Sequence, residues 1–270
     1  MGEHAAVDRV DEPVTVSTMV EDLRGLGVEA GDTLLVHSSL SALGWVCGDA
    51  QAVVDALREA VTERGTLVVP THTGQYTDPD VWSNPPVPDE WIETIRDERP
   101  PFRPESTPSR AVGAIPECFR AYPDAVRSRH PTFSFAAWGA DAEAIVEDHQ
   151  YDYGLGERSP LARVYERDGA VLMLGTSYDT NTSLHLAEYR AEFPKNTVSN
   201  DAPVVEDGEV VRVEYDDVAT DTADFEDVGA AFEAERGDAV ERGSVGDADA
   251  RLVDQPALVD FAVEWFETNR

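Results

Sequence analysis

Segments in which apolar residues recur every three or four positions alternate along this chain with short, unbroken apolar runs. TVSTMVEDLRGLGVEAGD has the helical period and a Ser/Thr-rich start, which predicts a helix. TLLVHSSL is a compact apolar run closed by hydroxyls and predicts a buried strand. DAQAVVDALREAVTERG returns to the helical period, capped by Asp49 and closed by Gly65, and TLVVPTHT repeats the strand signature. Strand, loop, helix and strand in that order make a βαβ unit of a parallel sheet. Ligands of open α/β sheets gather at the carboxyl ends of such strands, here HSSLSALGW and PTHTGQY.

The period then breaks. Residues 74–106 are rich in Pro, Asp and Trp (TDPDVWSNPPVPDEW), and so long an irregular stretch predicts a lid or wall over a site. SRAVGAIPECFRAYP reads as a short helix, SRHPTFSFAAWG as a loop feeding a strand, and ADAEAIVEDH as a helix. After GLGERSP come the helix LARVYERDG, the strand AVLMLGTS and a loop, YDTNTS, that opens the next helix. Residues 201–227 alternate apolar and polar side chains, and the Asp-Gly in VVEDGEVVRVEY marks a tight turn, so an antiparallel hairpin is expected there. FEDVGAAFEAE and PALVDFAVEWFETN are amphipathic. With no repeat, low-complexity tract or clean linker, residues 1–270 read as a single α/β domain. Its expected core is a mixed, largely parallel central sheet flanked by helices.

Composition changes this picture at one point. The 41% hydrophobic content is ordinary, but 54 acidic against 21 basic residues give a net charge of −33. Acidic residues occur along the whole chain, and Lys195 is the only lysine. At 1 M salt the Debye length is about 3 Å, so carboxylates so dense repel one another little there. A halophilic source is expected. The same charge excludes nucleic acid as a partner, since that needs basic patches. MGEHAAVDRVDEP has no apolar signal core and no run is long enough for a membrane span, which leaves a cytoplasmic protein. Cys47 and Cys118 do not form a disulfide framework, and no metal-binding spacing occurs.

Candidate chemistry concentrates in TSLHLAEYRAEFPK. His185 and Glu188 stand three residues apart, on one face of a helix. A carboxylate beside an imidazole fixes its tautomer and stabilises the imidazolium, the equipment of a general base. The plain alternative is an exposed helical ion pair worth a few tenths of a kcal/mol. HSSLSALGWVCGD combines hydroxyls, glycines and a helix start, which suits an anion such as phosphate and equally suits simple capping. It is neither a Walker loop nor a dinucleotide fingerprint. His37, His72 and His130 lie in loops or at strand ends, where structural hydrogen bonding is the default. HExxH and GxSxG motifs are absent, and both cysteines read as inert thiols.

Together VHSSLSALGWVCGDAQAVVDAL, GTLVVPTHT, TPSRAVGAIPECFR, RSRHPTFSFAAWG, GERSPLARVYERDGAVLMLGTSYDTNTSLHLAEYRA and RGSVGDADARLVDQPALVDFA resemble the aminoglycoside 3-N-acetyltransferases. These are antibiotic N-acetyltransferases unrelated in fold to the GNAT enzymes. The resemblance runs in order along nearly the whole chain. It implies the fold of that family and direct transfer of acetyl from acetyl-CoA, without a metal, to the 3-amino group of an aminoglycoside's 2-deoxystreptamine ring. His185 would be the base and Glu188 its partner. Ser38, Ser39, Leu40 and Ser41 would hold part of the CoA, Ser39 or Thr71 would face the thioester oxyanion, and Arg127 with Ser128 would meet a CoA phosphate. His130, Asp152 and Asp179 are expected on the side of the cationic amine, and a second copy of the chain is kept open as a partner. Two other readings stay open: acetylation of a different amine metabolite, and an inactive small-molecule binding protein.

Overall fold

Among residues 12–83 and 85–270, with Val7 and Val10, which the computed structural model describes, the apolar runs become strands. They are β1 (Thr33–Ser38), β2 (Thr66–Pro70), β3 (Val126–Arg127), β4 (Phe135–Gly139) and β5 (Ala170–Leu174). Further along lie β6 (Thr197–Glu206), β7 (Glu209–Val218), β8 (Val240–Val245) and β9 (Ala248–Asp254). Seven of them form one sheet in the order β3-β4-β2-β1-β5-β9-β8. Its centre, β2-β1-β5, is parallel, and every other neighbouring pair is antiparallel. The sheet is therefore mixed. Only β4 and β9 run against the common direction.

The helices are α1 (Val16–Gly25), α2 (Asp49–Val61), α3 (Asp89–Glu98), α4 (Ala114–Phe119) and α5 (Ala142–Val146). The remainder are α6 (Pro160–Tyr165), α7 (Ser183–Arg190), α8 (Phe225–Glu235) and α9 (Gln255–Asn269). Successive residues of a strand point to opposite faces, and both faces here are covered, which is why the central strands are apolar without a break. Leu34 and Val36 pack with Met19, Val53 and Ile115 of α1, α2 and α4. Leu35 packs on the other side, with Leu161, Leu184 and Phe266 of α6, α7 and α9. Burial of each such side chain stabilises the fold by roughly 1.5–3 kcal/mol.

Two expectations needed correction, and one stretch left without an element has one. The cap of α2 is Gly48 (φ 98°), with Asp49 the first helical residue; its carboxylate makes no capping bond, yet it sits where the helix dipole favours it. Residues 74–106 are not wholly irregular, for they contain α3, held by Arg96 to Asp78 at 2.9 Å. They form a wall: Tyr76 and Phe102 build a small core with Ala202, Val204 and Tyr215, and the Phe102 N–H donates to the Pro203 carbonyl at 2.8 Å. RGSVGDADARLV, given no element above, is the β8–β9 hairpin that closes one edge of the sheet.

The hairpin of β6 and β7 starts at Thr197, forms its own two-stranded sheet, and turns at Asp207-Gly208 with φ of 49° and 83°. Two positive φ values make this the type I′ turn that Asp-Gly favours. Among the described residues no helix is long and apolar enough to cross a membrane, and MGEHAA, read for a signal core, lies outside them. The carboxyl ends of β1, β2 and β5 share one rim of the sheet, and α7 starts beside them.

Candidate active site

The start of α7 is fixed from below. Asn181, fully buried, accepts the Ser183 N–H through Oδ1 at 3.0 Å, and Gln255 of α9 donates to the Ser183 hydroxyl at 2.9 Å. Leu184, Leu186 and Ala187 point into the core, so the opposite face carries His185 and Glu188. His185 Nδ1 is hydrogen-bonded to Glu188 Oε2. The Glu188 side chain is 1% exposed and that of His185 12%, so the exposed-ion-pair alternative does not describe this pair. An ionised carboxylate only accepts, which places the proton on Nδ1 and leaves the Nε2 lone pair free to take another. Glu188 Oε1 accepts from the Asp221 N–H at 3.2 Å and from the Arg270 guanidinium. The His185 ring lies against Phe225, with centroids 4.9 Å apart.

A cleft of about 510 Å³ opens at the start of α7, with Thr182 in its wall. Its walls are the β1 loop with His37, Ser38, Ser39, Leu40 and Ser41, the ends of β2 and β5 with His72 and Thr176, the segment Ala111–Ala114, and Thr180 and Thr182. His185 follows Thr182 by three residues on the same face of the helix. A second, acidic pocket of about 680 Å³ shares Ser39, Thr176 and Thr180 with the cleft and adds Asp179, Asp247, Asp249 and Arg251, the last paired with Glu233 at 3.0 Å. The site thus has two lobes meeting at a common wall.

His37 and His72 are neutral. Burial, then the charge of His185, lowers the pKa of each to about 3. His37 Nε2 accepts from the Thr182 N–H at 3.3 Å, while His72 is wedged edge-on between Phe133 and Phe135. Of these three imidazoles only His185 has a carboxylate partner. Ser38 Oγ, Thr176 Oγ1 and His72 Nδ1 are buried in these walls without a hydrogen-bond partner.

Five other residues singled out from the sequence are held away from the cleft. Thr71 exchanges its N–H and hydroxyl with Ser134, and Arg127 donates to Thr71 Oγ1 at 3.0 Å, the Thr71 carbonyl at 2.7 Å and the Thr107 carbonyl at 2.5 Å. Burial pulls the Arg127 pKa down to about 10. Ser128 accepts the Phe135 N–H and pairs with His149 Nδ1, both at 2.9 Å. His130 is saturated: Nδ1 accepts from Thr132 and Phe133, and Nε2 donates to the Tyr151 carbonyl at 3.0 Å. Gly154 packs so closely over it that a Cβ there would lie 2.3 Å from Nε2. Asp152 receives the Asp216 N–H at 2.9 Å and lines neither lobe. Of the two cysteines Cys47 is exposed, and burial raises the Cys118 thiol pKa. Among the described residues no cluster of three metal-ligating side chains occurs.

His149, at about 4, and His130, well below its usual value, join His37 and the half-buried His72 as neutral imidazoles. Each folded pKa lies below the unfolded value near 6.5, so between those limits the unfolded chain binds more protons. Their contribution is complete above about pH 6.5 and is lost as pH falls towards 3–4. Each can cost up to about 1.4 kcal/mol per pH unit. Denaturant melts at constant salt should therefore show stability falling steeply between pH 6.5 and 5, before carboxylates titrate. A flat profile there would contradict the burial of these rings.

A family model for aminoglycoside 3-N-acetyltransferases matches residues 35–267. The chain is 44% identical over 264 residues, 97% of its length and 96% of the relative's, to the SPbeta prophage-derived aminoglycoside N(3')-acetyltransferase-like protein YokD of Bacillus subtilis. The crystal structure of YokD superposes with a TM-score of 0.95 at 43% identity, covering 98% of each chain. Identity to aminoglycoside N(3)-acetyltransferase VII of Streptomyces paromomycinus is 38%, over 99% of this chain and 96% of the relative. The structure described as AAC-IIIb binary with CoASH matches with a TM-score of 0.85 at 32% identity, over 95% of this chain and 97% of the other. Likeness of this extent, in sequence and in three dimensions, makes the chain a member of the aminoglycoside 3-N-acetyltransferase family.

Proposed function

We propose that this protein transfers acetyl from acetyl-CoA to the 3-amino group of an aminoglycoside's 2-deoxystreptamine ring, with His185 as the general base, a reaction that protects a cell from the drug. One observation carries the reading: the buried His185–Glu188 pair stands on the helix whose N-cap, Thr182, lines the hydroxyl-lined cleft, near enough to His37 and His72 of that cleft for the charge of His185 to lower their pKa values. The amine nitrogen attacks the thioester carbonyl carbon as His185 Nε2 removes a proton from it. The tetrahedral oxyanion collapses, the C–S bond breaks, and the proton passes from His185 to the leaving thiolate, giving the amide and CoA thiol. A positioned base contributes about 10²–10⁴ in rate.

The cleft of Ser38, Ser39, Leu40 and Ser41 takes the pantetheine arm, with Ser38 and Thr176 offering hydroxyls that have no other partner to the oxyanion. Thr71 is reassigned to support, because Ser134 and Arg127 occupy its polar atoms. Arg127 and Ser128 are likewise framework groups, and the arginine next to the cleft is Arg110, which stacks over Trp82 and suits a phosphate. The acidic pocket takes the cationic acceptor through Asp179, Asp247 and Asp249, while His130 and Asp152 shape the neighbouring hairpin.

The charge of −33 supports a halophilic setting for this chemistry. Free CoA release measured with a panel of amines at rising salt tests both parts. A polycationic acceptor should show a KM that climbs with salt as its attraction to the acidic pocket is screened, while the melting temperature of the enzyme rises. A KM indifferent to salt would point to a neutral or singly charged amine. A melt indifferent to salt would remove the halophilic reading, and no turnover with any amine would leave a binding protein.

A further inference from the structure

We infer that Arg270 is a positioning residue for the base, acting through Glu188 and held in turn by Asp224; this rests on His185 being the base. Glu188 is a carboxylate with 1% of its side chain exposed, and a charge so buried needs donors on each oxygen. Oε2 has the His185 imidazole. Oε1 has one backbone N–H, from Asp221, and the Arg270 Nη1. Among the described residues Arg270 is therefore the one guanidinium or ammonium bonded to the carboxylate that orients the base.

Its own geometry is fixed on every side. Nε donates to Asp224 Oδ2 at 2.8 Å, and Nη2 donates to Asp224 Oδ1 at 2.5 Å and to the Asp221 carbonyl at 2.8 Å. The guanidinium lies over Phe266 at 4.1 Å and Phe193 at 5.4 Å. A planar fork can serve two carboxylates and a carbonyl at once, whereas an ammonium of comparable reach cannot hold that plane. The row Asp224, Arg270, Glu188, His185 alternates in charge once the imidazole is protonated. Arg270 lies beyond the stretch that the family model matches.

Two effects follow. Arg270 stops Glu188 from rotating, which keeps the Nδ1–H tautomer and aims Nε2. Its positive charge also opposes protonation of the imidazole, and Asp224 tempers that opposition. The other groups facing the pair are His37 on β1, His72 just after β2, Asp217 on β7, Tyr189 on α7 and Lys195 after it. Tyr189 donates to Asp217, and the Lys195 ammonium donates to the Tyr189 carbonyl at 3.2 Å, so each is engaged elsewhere.

The test compares Arg270→Gln, Arg270→Lys and Asp224→Asn with the intact enzyme in pH–rate profiles. Loss of the cation in Arg270→Gln favours the imidazolium, so the acidic limb should move to higher pH by about half a unit or more. The plateau kcat should fall about tenfold, with the KM for acetyl-CoA within about twofold. Asp224→Asn removes the opposing charge and should move the limb the other way. Arg270→Lys keeps the charge and should keep the limb while losing part of kcat. If Arg270→Gln does not fold, Asp224→Asn and Arg270→Lys decide between the readings. Limbs that all coincide with the intact enzyme, whatever the melting temperatures, would make Arg270 a clasp for α9 only and overturn the inference. Full turnover by His185→Gln would instead bring down the reading of His185 as the base, a separate result.

Discussion

Replacing His185 by Gln lowers kcat by about 10²–10⁴ while acetyl-CoA binds almost as before. The magnitude is that of a proton transfer lost from the transition state. The cofactor term is small because His185 is not one of the cleft's lining residues. Neither neighbour can replace it. His37 has Nε2 turned to the Thr182 N–H, and neither His37 nor His72 has a carboxylate to steady an imidazolium. What remains is the rate from holding the two substrates together. The check is steady-state kinetics with the best acceptor, beside direct titration of acetyl-CoA and a circular dichroism spectrum. A near-normal kcat in this variant would sink the mechanism. A large rise in acetyl-CoA dissociation would show instead that the imidazole helps to bind the cofactor.

How far the sequence could be read depends on whether the information was local. The βαβ unit was legible because TLLVHSSL, TLVVPTHT and the helix between them each carry their own period, and they pair in parallel as expected. The hairpin was legible from Asp207-Gly208, since two positive φ values leave few other residues at that turn. β8 was not, because four of its six residues are exposed and its alternation is lost. α3 carried terminal signals, Pro88 before it, Asp89 and Glu90 in its first turn and Arg96 in its last, yet it buries no residue fully, so no apolar face announced it.

The site divides in the same way. His185 and Glu188 are neighbours on one helix, and their spacing alone brings them together. Thr71 and His72 are adjacent in a strand-end loop, and nothing local told which of them would reach the rim; His72 lines the cleft, while Thr71 turns to Ser134. Arg127 offered a guanidinium of the right kind, but its donors are taken by carbonyls of a loop some twenty residues earlier. Arg270 meets Glu188 across 82 residues of chain, with no pattern in between to suggest it. Three-dimensional convergence of this sort becomes readable only once the sheet order is known.

Glu188→Gln should cost the enzyme about as much as losing the base, although it changes one atom. Glu188 accepts from three donors, the His185 imidazole, the Arg270 guanidinium and the Asp221 N–H. A Gln side chain can accept only through its carbonyl oxygen. Two of the donors, on Arg270 and Asp221, converge on the position of Oε1, so the amide oxygen settles there and the NH₂ group faces His185. Nδ1 must then become an acceptor, and the ring proton moves to Nε2, the atom that has to be bare to receive the substrate's proton. A wrong tautomer of this kind in a His–carboxylate pair is worth up to about 10⁴ in kcat. The carboxylate that steadies the imidazolium is gone as well, so the acidic limb of the pH–rate profile should move to lower pH. Nuclear magnetic resonance of ¹⁵N-labelled imidazole would read the tautomer directly, beside kcat and the melting temperature. The expected result is a folded variant with an Nε2-bound proton and a loss of roughly 10²–10⁴. An Nδ1-bound proton with intact turnover would show that Glu188 braces Arg270 and leaves the chemistry to His185 alone.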